Sequence, residues 1–254
     1  MVASPAKTAI ATGLALMELV IALALSALLI LGLVQIAAAA SSSTRLQRNQ
    51  AQLQENARIA FNSLSRVIRR AGFNPQPWNP QFPPLGLAEI SLDDVSASGD
   101  RLAVRDWSDL NCFDNRNPDQ DASGNPLFYI REFVFDVNAD KSLTHLCRYG
   151  PSLTELTTQV RRQGFINNIE YFQILYGQDS DQDGNIETWV KAGSWDDIRH
   201  ILGLRVGLLL SSPDSVVEAV PHHYDVLDSA VDRRADGKLR RVSEFTVAIR
   251  GRAG

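Results

Sequence analysis

The 254-residue sequence has two cysteines, aromatic residues at 7% and charged residues at 21%. Two cysteines exclude a disulfide-dense miniprotein, and 44% apolar content excludes a disordered acidic tail. No glycine-rich dinucleotide fingerprint and no internal repeat is present. The four histidines, His145, His200, His222 and His223, stand in neither a nucleophile elbow nor an H-E-x-x-H pattern, so nothing in the sequence supports catalysis. His222-His223, next to Pro221, reads as loop rather than as a ligand pair. Charge is also missing locally. From Leu19 through Ser43, 25 consecutive residues carry none, and most are Ala, Leu, Ile or Val. About 20 such residues cross a bilayer, which argues against an ordinary cytosolic enzyme.

The charge that is present is divided. The segment 41–71 holds six arginines against the single Glu55, a net of +5, whereas everything from Gly72 onward sums to −9. A basic stalk on an acidic body is not the footprint of a nucleic-acid binder, which spreads Lys and Arg over a folded face.

Three readings compete for the apolar N-terminus. A cleaved secretory signal would use Lys7 as its basic region and Ala37–Ala40 as its cleavage site, but such apolar cores run about 7 to 15 residues. A plain single-pass anchor fits the length but leaves Glu18 unexplained, since a carboxylate in hydrocarbon costs roughly 2.5–3.5 kcal/mol or more. The third reading uses that acid. In Thr12-Gly13-Leu14-Ala15-Leu16-Met17-Glu18-Leu19, a glycine is followed by four apolar or small residues, an acid and an unbroken apolar run. This resembles the prepilin processing motif of type IV pilins and type II secretion pseudopilins.

The resemblance implies that a prepilin peptidase cuts between Gly13 and Leu14, that Leu14 is then N-methylated, and that Glu18 takes the glutamate position that serves assembly. A buried α-amino cation and a buried carboxylate each require an opposite charge, so Glu18 would pair with the Leu14 amine of its own or a neighbouring subunit. The arginines beyond Ser43 would, by the positive-inside rule alone, orient the chain the other way. The resemblance instead places the C-terminal body outside the cytoplasm, in the periplasm of an inner-membrane single-pass protein that later enters the pilus.

Beyond the span, Leu46, Leu53, Ala57, Ala60, Phe61, Leu64, Val67, Ile68 and Ala71 keep three- and four-residue spacing. No proline interrupts residues 14–71, enough for a helix of roughly 87 Å. Gly72 and the prolines from Pro75 to Pro84 stop it. The passage Leu53-Gln54-Glu55-Asn56-Ala57-Arg58-Ile59-Ala60, with Leu64, Arg69, Ala71 and Gly72, is similar to one in the PilW family of minor pilins. So are Tyr176–Gly184 with its alternating aspartates, Trp195 with the strand Leu204–Ser211, and the closing Arg240–Arg252.

The expected fold is therefore α+β and pilin-like: a leader at 1–13, a transmembrane and assembly helix at 14–43, an amphipathic continuation at 44–71, and a periplasmic β-rich domain at 72–254. Alternation predicts strands at Arg101–Arg105, Tyr129–Val137, Leu143–Tyr149, Ile169–Tyr176, Ile201–Leu210 and Val242–Arg250, the second and third forming a hairpin. One antiparallel sheet laid on the helix is the economical architecture. As a PilW-type minor pilin it would prime pilus assembly in a tip complex, with other minor pilins, the major pilin and a PilY-type adhesin as partners. The alternatives are a J-type pseudopilin of type II secretion and a membrane-tethered periplasmic binding or sensory protein.

Two further features bear on chemistry. Asp179, Asp181, Asp183 and Gly184 follow the D-x-D-x-D-G start of a calcium loop, with Glu187 within reach, but the twelfth position, where a bidentate Glu belongs, is Val190. Calcium binding and a plain solvated acidic turn both remain open, and no other cofactor is implied. Cys112 and Cys147, in an oxidising periplasm, are expected to bond and tie the loop 111–126 to the Cys147 strand. The alternative is two separate buried thiols.

Overall fold

The computed structural model describes residues 12–250, with side chains from Leu16 onward save that of Val95. The chain divides into two units, Met1–Arg48 and Asn49–Gly254, and one helix, α1 (Thr12–Arg70), contributes to both. In the first unit α1 is apolar on every side. Leu16, Leu19, Leu23, Leu28, Ile30, Leu33 and Ile36 are all more than half exposed, so no stripe is reserved for a protein core. Its most apolar window reaches a mean hydropathy of 2.7, and by length and composition the helix can cross a membrane.

In the second unit the same helix becomes amphipathic. Leu53, Ala60, Leu64, Ile68 and the following Ala71 are buried in a core shared with the sheet. Complete burial of a leucine or isoleucine contributes about 1.5–3 kcal/mol each. Phe61, partly exposed, meets Phe245 edge to face at 5.1 Å. The helix ends one residue before the periodicity does. Gly72 takes φ +78°, and its N–H turns away from the helix to the Arg105 carbonyl at 2.8 Å.

The strands are β1 (Leu92–Ser96), β2 (Gly99–Ser108), β3 (Tyr129–Val137), β4 (Ser142–Gly150), β5 (Thr157–Asn167), β6 (Ile169–Gln178), β7 (Thr188–Val190), β8 (Ile201–Ser215), β9 (His222–Val226), β10 (Ser229–Arg233) and β11 (Lys238–Ala248). Nine form one sheet in the order β11-β8-β6-β2-β3-β4-β5, with β1 paired to β2 and β7 to β6; β9 and β10 make a separate hairpin. The sheet consists of two antiparallel blocks. One is β1 to β5 and the other is β6, β7, β8 and β11, and a single parallel pairing, Gly99 with Phe172, joins them. Gly99 sits at φ +99°, and a Cβ there would stand 2.1 Å from the Phe172 carbonyl oxygen, so only glycine permits this approach.

The sequence pattern places His222-His223 in a loop, whereas the structure puts both in β9, paired with β10. His223 Nδ1 lies 2.7 Å from Asp232 and Nε2 3.2 Å from Asp225. Hydrogen bonding to Asp232 first, and then the nearby charges of Asp225 and Asp232, raise its pKa above the usual histidine value. The closing strand also ends at Ala248, short of Arg250.

Candidate functional site

Glu18 stands on α1 between Met17 and Leu19, which are 65% and 60% exposed, and is itself exposed. Its carboxylate is the one charged group between Leu16 and Ser43, and in an environment that excludes water the ionised form requires a counter-charge. Gly13 and Leu14 belong to the first turn of α1, and their side chains lie outside those described, as does the whole of segment 1–11. The far end of the apolar stretch is marked by back-bonded hydroxyls: Ser42 donates to the Ala39 carbonyl and Thr44 to that of Ala40, each at 2.9 Å.

On the body, the alternating aspartates fill the turn between β6 and β7. Asp179, though buried, accepts from the backbone N–H groups of Asp183 at 3.1 Å and Gly184 at 3.0 Å. Glu187 folds back to accept from Ser180 N–H at 2.7 Å. Gln182 and Gly184, both at positive φ, make the curl. One carboxylate oxygen from each of Asp179, Asp181, Asp183 and Glu187 lies within 4.8 Å of the others. Val190 is consumed by the β7 ladder opposite Tyr176, so the twelfth loop position has no ligand role, and Glu187 brings the fourth carboxylate instead. Hydrogen bonds from Asn185 hold the exposed Asp183 carboxyl below its usual range.

Cys112 and Cys147 are bonded, with Cα atoms 5.9 Å apart. The bridge anchors the loop after β2 to the inner face of β4. Beside it lies a cavity of about 280 Å³, lined by Arg66, Arg70, Arg131, Phe133, His145 and Phe165 among others. Arg131 is buried and paired with Asp106 at 3.0 Å, and Arg70 reaches the same carboxylate at 3.1 Å. His145 packs edge-on against Phe165 at 5.4 Å, and burial pushes its pKa down.

Sequence reasoning missed the buried ion networks, whose parts come from distant strands. Glu132 sits between Arg105 and Arg148, its ladder neighbours on β2 and β4. Glu170 on β6 receives Arg240 at 2.7 Å, Lys141 at 2.9 Å and Arg233 at 3.0 Å. The signal in the sequence was an acid beside apolar neighbours, Glu132 before Phe133-Val134 and Glu170 after Ile169.

A long N-terminal helix, apolar at its start and packed in its second half on a largely antiparallel sheet, defines the class of pilin-like proteins. A solved structure has this fold. The type IV-like pilin of Thermus thermophilus superposes with a TM-score of 0.51 at 15% identity, covering 78% of this chain and 97% of that one. Within the chain, residues 134–251 match the family model of type IV pilus-assembly protein W. That span runs from β3 to the closing strand and so holds the acidic turn and the Glu170 network. No curated protein matches the chain.

Proposed function

We propose that this chain is a minor pilin that helps to prime type IV pilus assembly as part of a tip complex, and that it is not an enzyme. The observation that carries the reading is the conjunction of Gly13-Leu14 and Glu18 at the head of a helix whose first half is apolar and exposed, with a body whose residues 134–251 match the PilW model. An exposed apolar cylinder has two stable environments, lipid and the packed core of a filament, and a prepilin uses them in turn. Before assembly the chain waits in the inner membrane as a single-pass protein with its body in the periplasm, and after assembly it is at the cell surface. Its partners in this reading are other minor pilins, the major pilin and a PilY-type tip adhesin, with the prepilin peptidase as processing enzyme.

N-terminal mass analysis of the membrane form tests this directly. In peptidase-competent cells the chain is expected to begin at N-methylated Leu14. An intact Met1 terminus would remove the pilin reading and leave a tethered β-rich domain.

The acidic turn is proposed to bind calcium. Four carboxylates converge there, and the backbone curl is already held by Asp179. Calcium is expected to raise the melting temperature of the purified protein, and Asp181→Ala to reduce that gain. Identical melting curves in calcium and in chelator would dismiss the site.

A further inference from the structure

A second group of acids, unconnected with the β6–β7 turn, sits where the two blocks of the sheet meet. β1 is bulged between Leu92 and Ser96, and Asp94 occupies the bulge at φ +45°. This brings Asp93 and Asp94 together with Asp100 at the start of β2, and one carboxylate oxygen of each lies within 4.8 Å of the others. Asp100 is 1% exposed. Its two oxygens accept from Asp94 N–H at 2.9 Å and from Ile174 N–H, across the seam on β6, at 2.8 Å. Tyr171 donates to Asp94 at 2.8 Å.

Two observations show that this group is incomplete on its own. The first is charge: among the described residues, the ion pair to the three acids is Lys191, 3.5 Å from Asp93 and shared with Asp228 at 3.6 Å. The second comes from Gln173, which is 0% exposed and whose amide ends at the cluster, its Nε2 being 3.4 Å from Asp93 Oδ1. The other atom of that amide, Oε1, is buried with no hydrogen-bond partner. A buried acceptor without a donor is costly. With the amide turned end for end, Oε1 takes the place of Nε2 and faces the carboxylates, and a cation there satisfies it as a donor would and relieves the carboxylate repulsion as well.

We infer that Asp93, Asp94, Asp100 and the Gln173 amide form a calcium site that staples the two blocks of the sheet together. The donor set is oxygen only, which selects a hard cation over zinc or copper. Oxygens bound to one calcium at 2.3–2.6 Å can be no more than about 5 Å apart, and the three carboxylates meet that limit. Magnesium demands near-octahedral geometry, which an irregular bulge beside a strand does not supply. The position gives the ion its work. The two blocks share only the Gly99–Phe172 pairing, and Asp93 and Asp94 lie on one side of this seam with Gln173 on the other. A cation bound by both sides adds a strong cross-link where the ladder is thinnest.

The test uses the full chain in detergent, stripped with chelator and then titrated with calcium by calorimetry and with terbium excited through the protein's tyrosines. The Asp181→Ala variant, with the β6–β7 turn disabled, is expected to bind one equivalent of calcium and to give terbium emission that calcium displaces. Adding Asp93→Asn to it should weaken binding tenfold or more. Asp93 is partly exposed, and its carboxylate meets the Gln173 amide and Lys191 rather than holding the strand backbone, so circular dichroism of the chelated proteins should coincide. Absence of calcium binding and of displaceable emission in a folded Asp181→Ala protein overturns the site without recourse to the second variant. So does undiminished binding after Asp93→Asn.

Discussion

Glu170→Gln is expected to destabilise the body by about 3–5 kcal/mol, the usual cost of removing one partner from a buried ion cluster. The carboxylate is fully buried and receives three cations, from Arg240, Arg233 and Lys141. Arg240 is itself 3% exposed. A neutral amide would leave that guanidinium with Asp236 alone and would turn an N–H₂ group towards its donors. Against a typical total stability of about 5–15 kcal/mol the loss is large. In thermal terms it is roughly 6–20 °C for a domain of this size. Differential scanning calorimetry measures it, and coincident melting of variant and parent would show that the cluster is energetically idle.

The same residue sets a pH dependence. Burial pushes the Glu170 carboxyl up, but hydrogen bonds from Arg240 and Lys141 and their charges outweigh it and hold it at about 2. A carboxyl whose pKa is lower folded than unfolded contributes stability that is complete above the unfolded value near 4.5 and is lost as pH falls towards 2. The parent should therefore lose stability across that window, and Glu170→Gln should lose less, so that the two curves converge at the acid end. Parallel curves would assign the acid sensitivity elsewhere.

The same physics explains which elements could be read from the sequence. β3 has the bounds its alternation predicts because Val134, Phe135 and Val137 are buried and turn residues flank it. β6 and β8 are apolar runs buried along most of their length, which no surface segment imitates. β5 escapes detection because it is an edge strand whose Arg161, Arg162 and Gln163 are exposed and whose one buried side chain is Ile166. The β9–β10 hairpin is hidden for a related reason: each strand buries a single side chain, Val226 or Val231, and its turn carries Leu227 at φ +56° where glycine or asparagine would have signalled it. The acidic turn at Asp179–Glu187 was legible since its carboxylates lie within nine residues of sequence. The Asp93, Asp94 and Asp100 group was not, because a bulge and a glycine-dependent strand approach bring it to Gln173. Neither has a local signature.

Glu18→Ala is expected to leave membrane insertion intact and to lower incorporation into sheared pili by tenfold or more. The two halves of this prediction have opposite signs, and that gives it force. Removing a carboxylate from an apolar span favours insertion by roughly 2.5–3.5 kcal/mol, so a folding or targeting defect is not anticipated. Assembly is different. If processing frees the amine of Leu14, that cation stands one helical turn from Glu18, at i and i+4 on the same face of α1. Within a packed filament neither charge can reach water, and each becomes the other's partner, within a chain or between neighbours. Loss of one buried partner costs about 3–5 kcal/mol, a factor of a hundred or more in a docking equilibrium. Glu18→Gln keeps the shape and removes the charge, so it should share the defect, whereas a purely steric role would spare it. Immunoblots of membrane and sheared-pilus fractions separate the two steps. Wild-type incorporation of either variant would leave the carboxylate without a part in assembly.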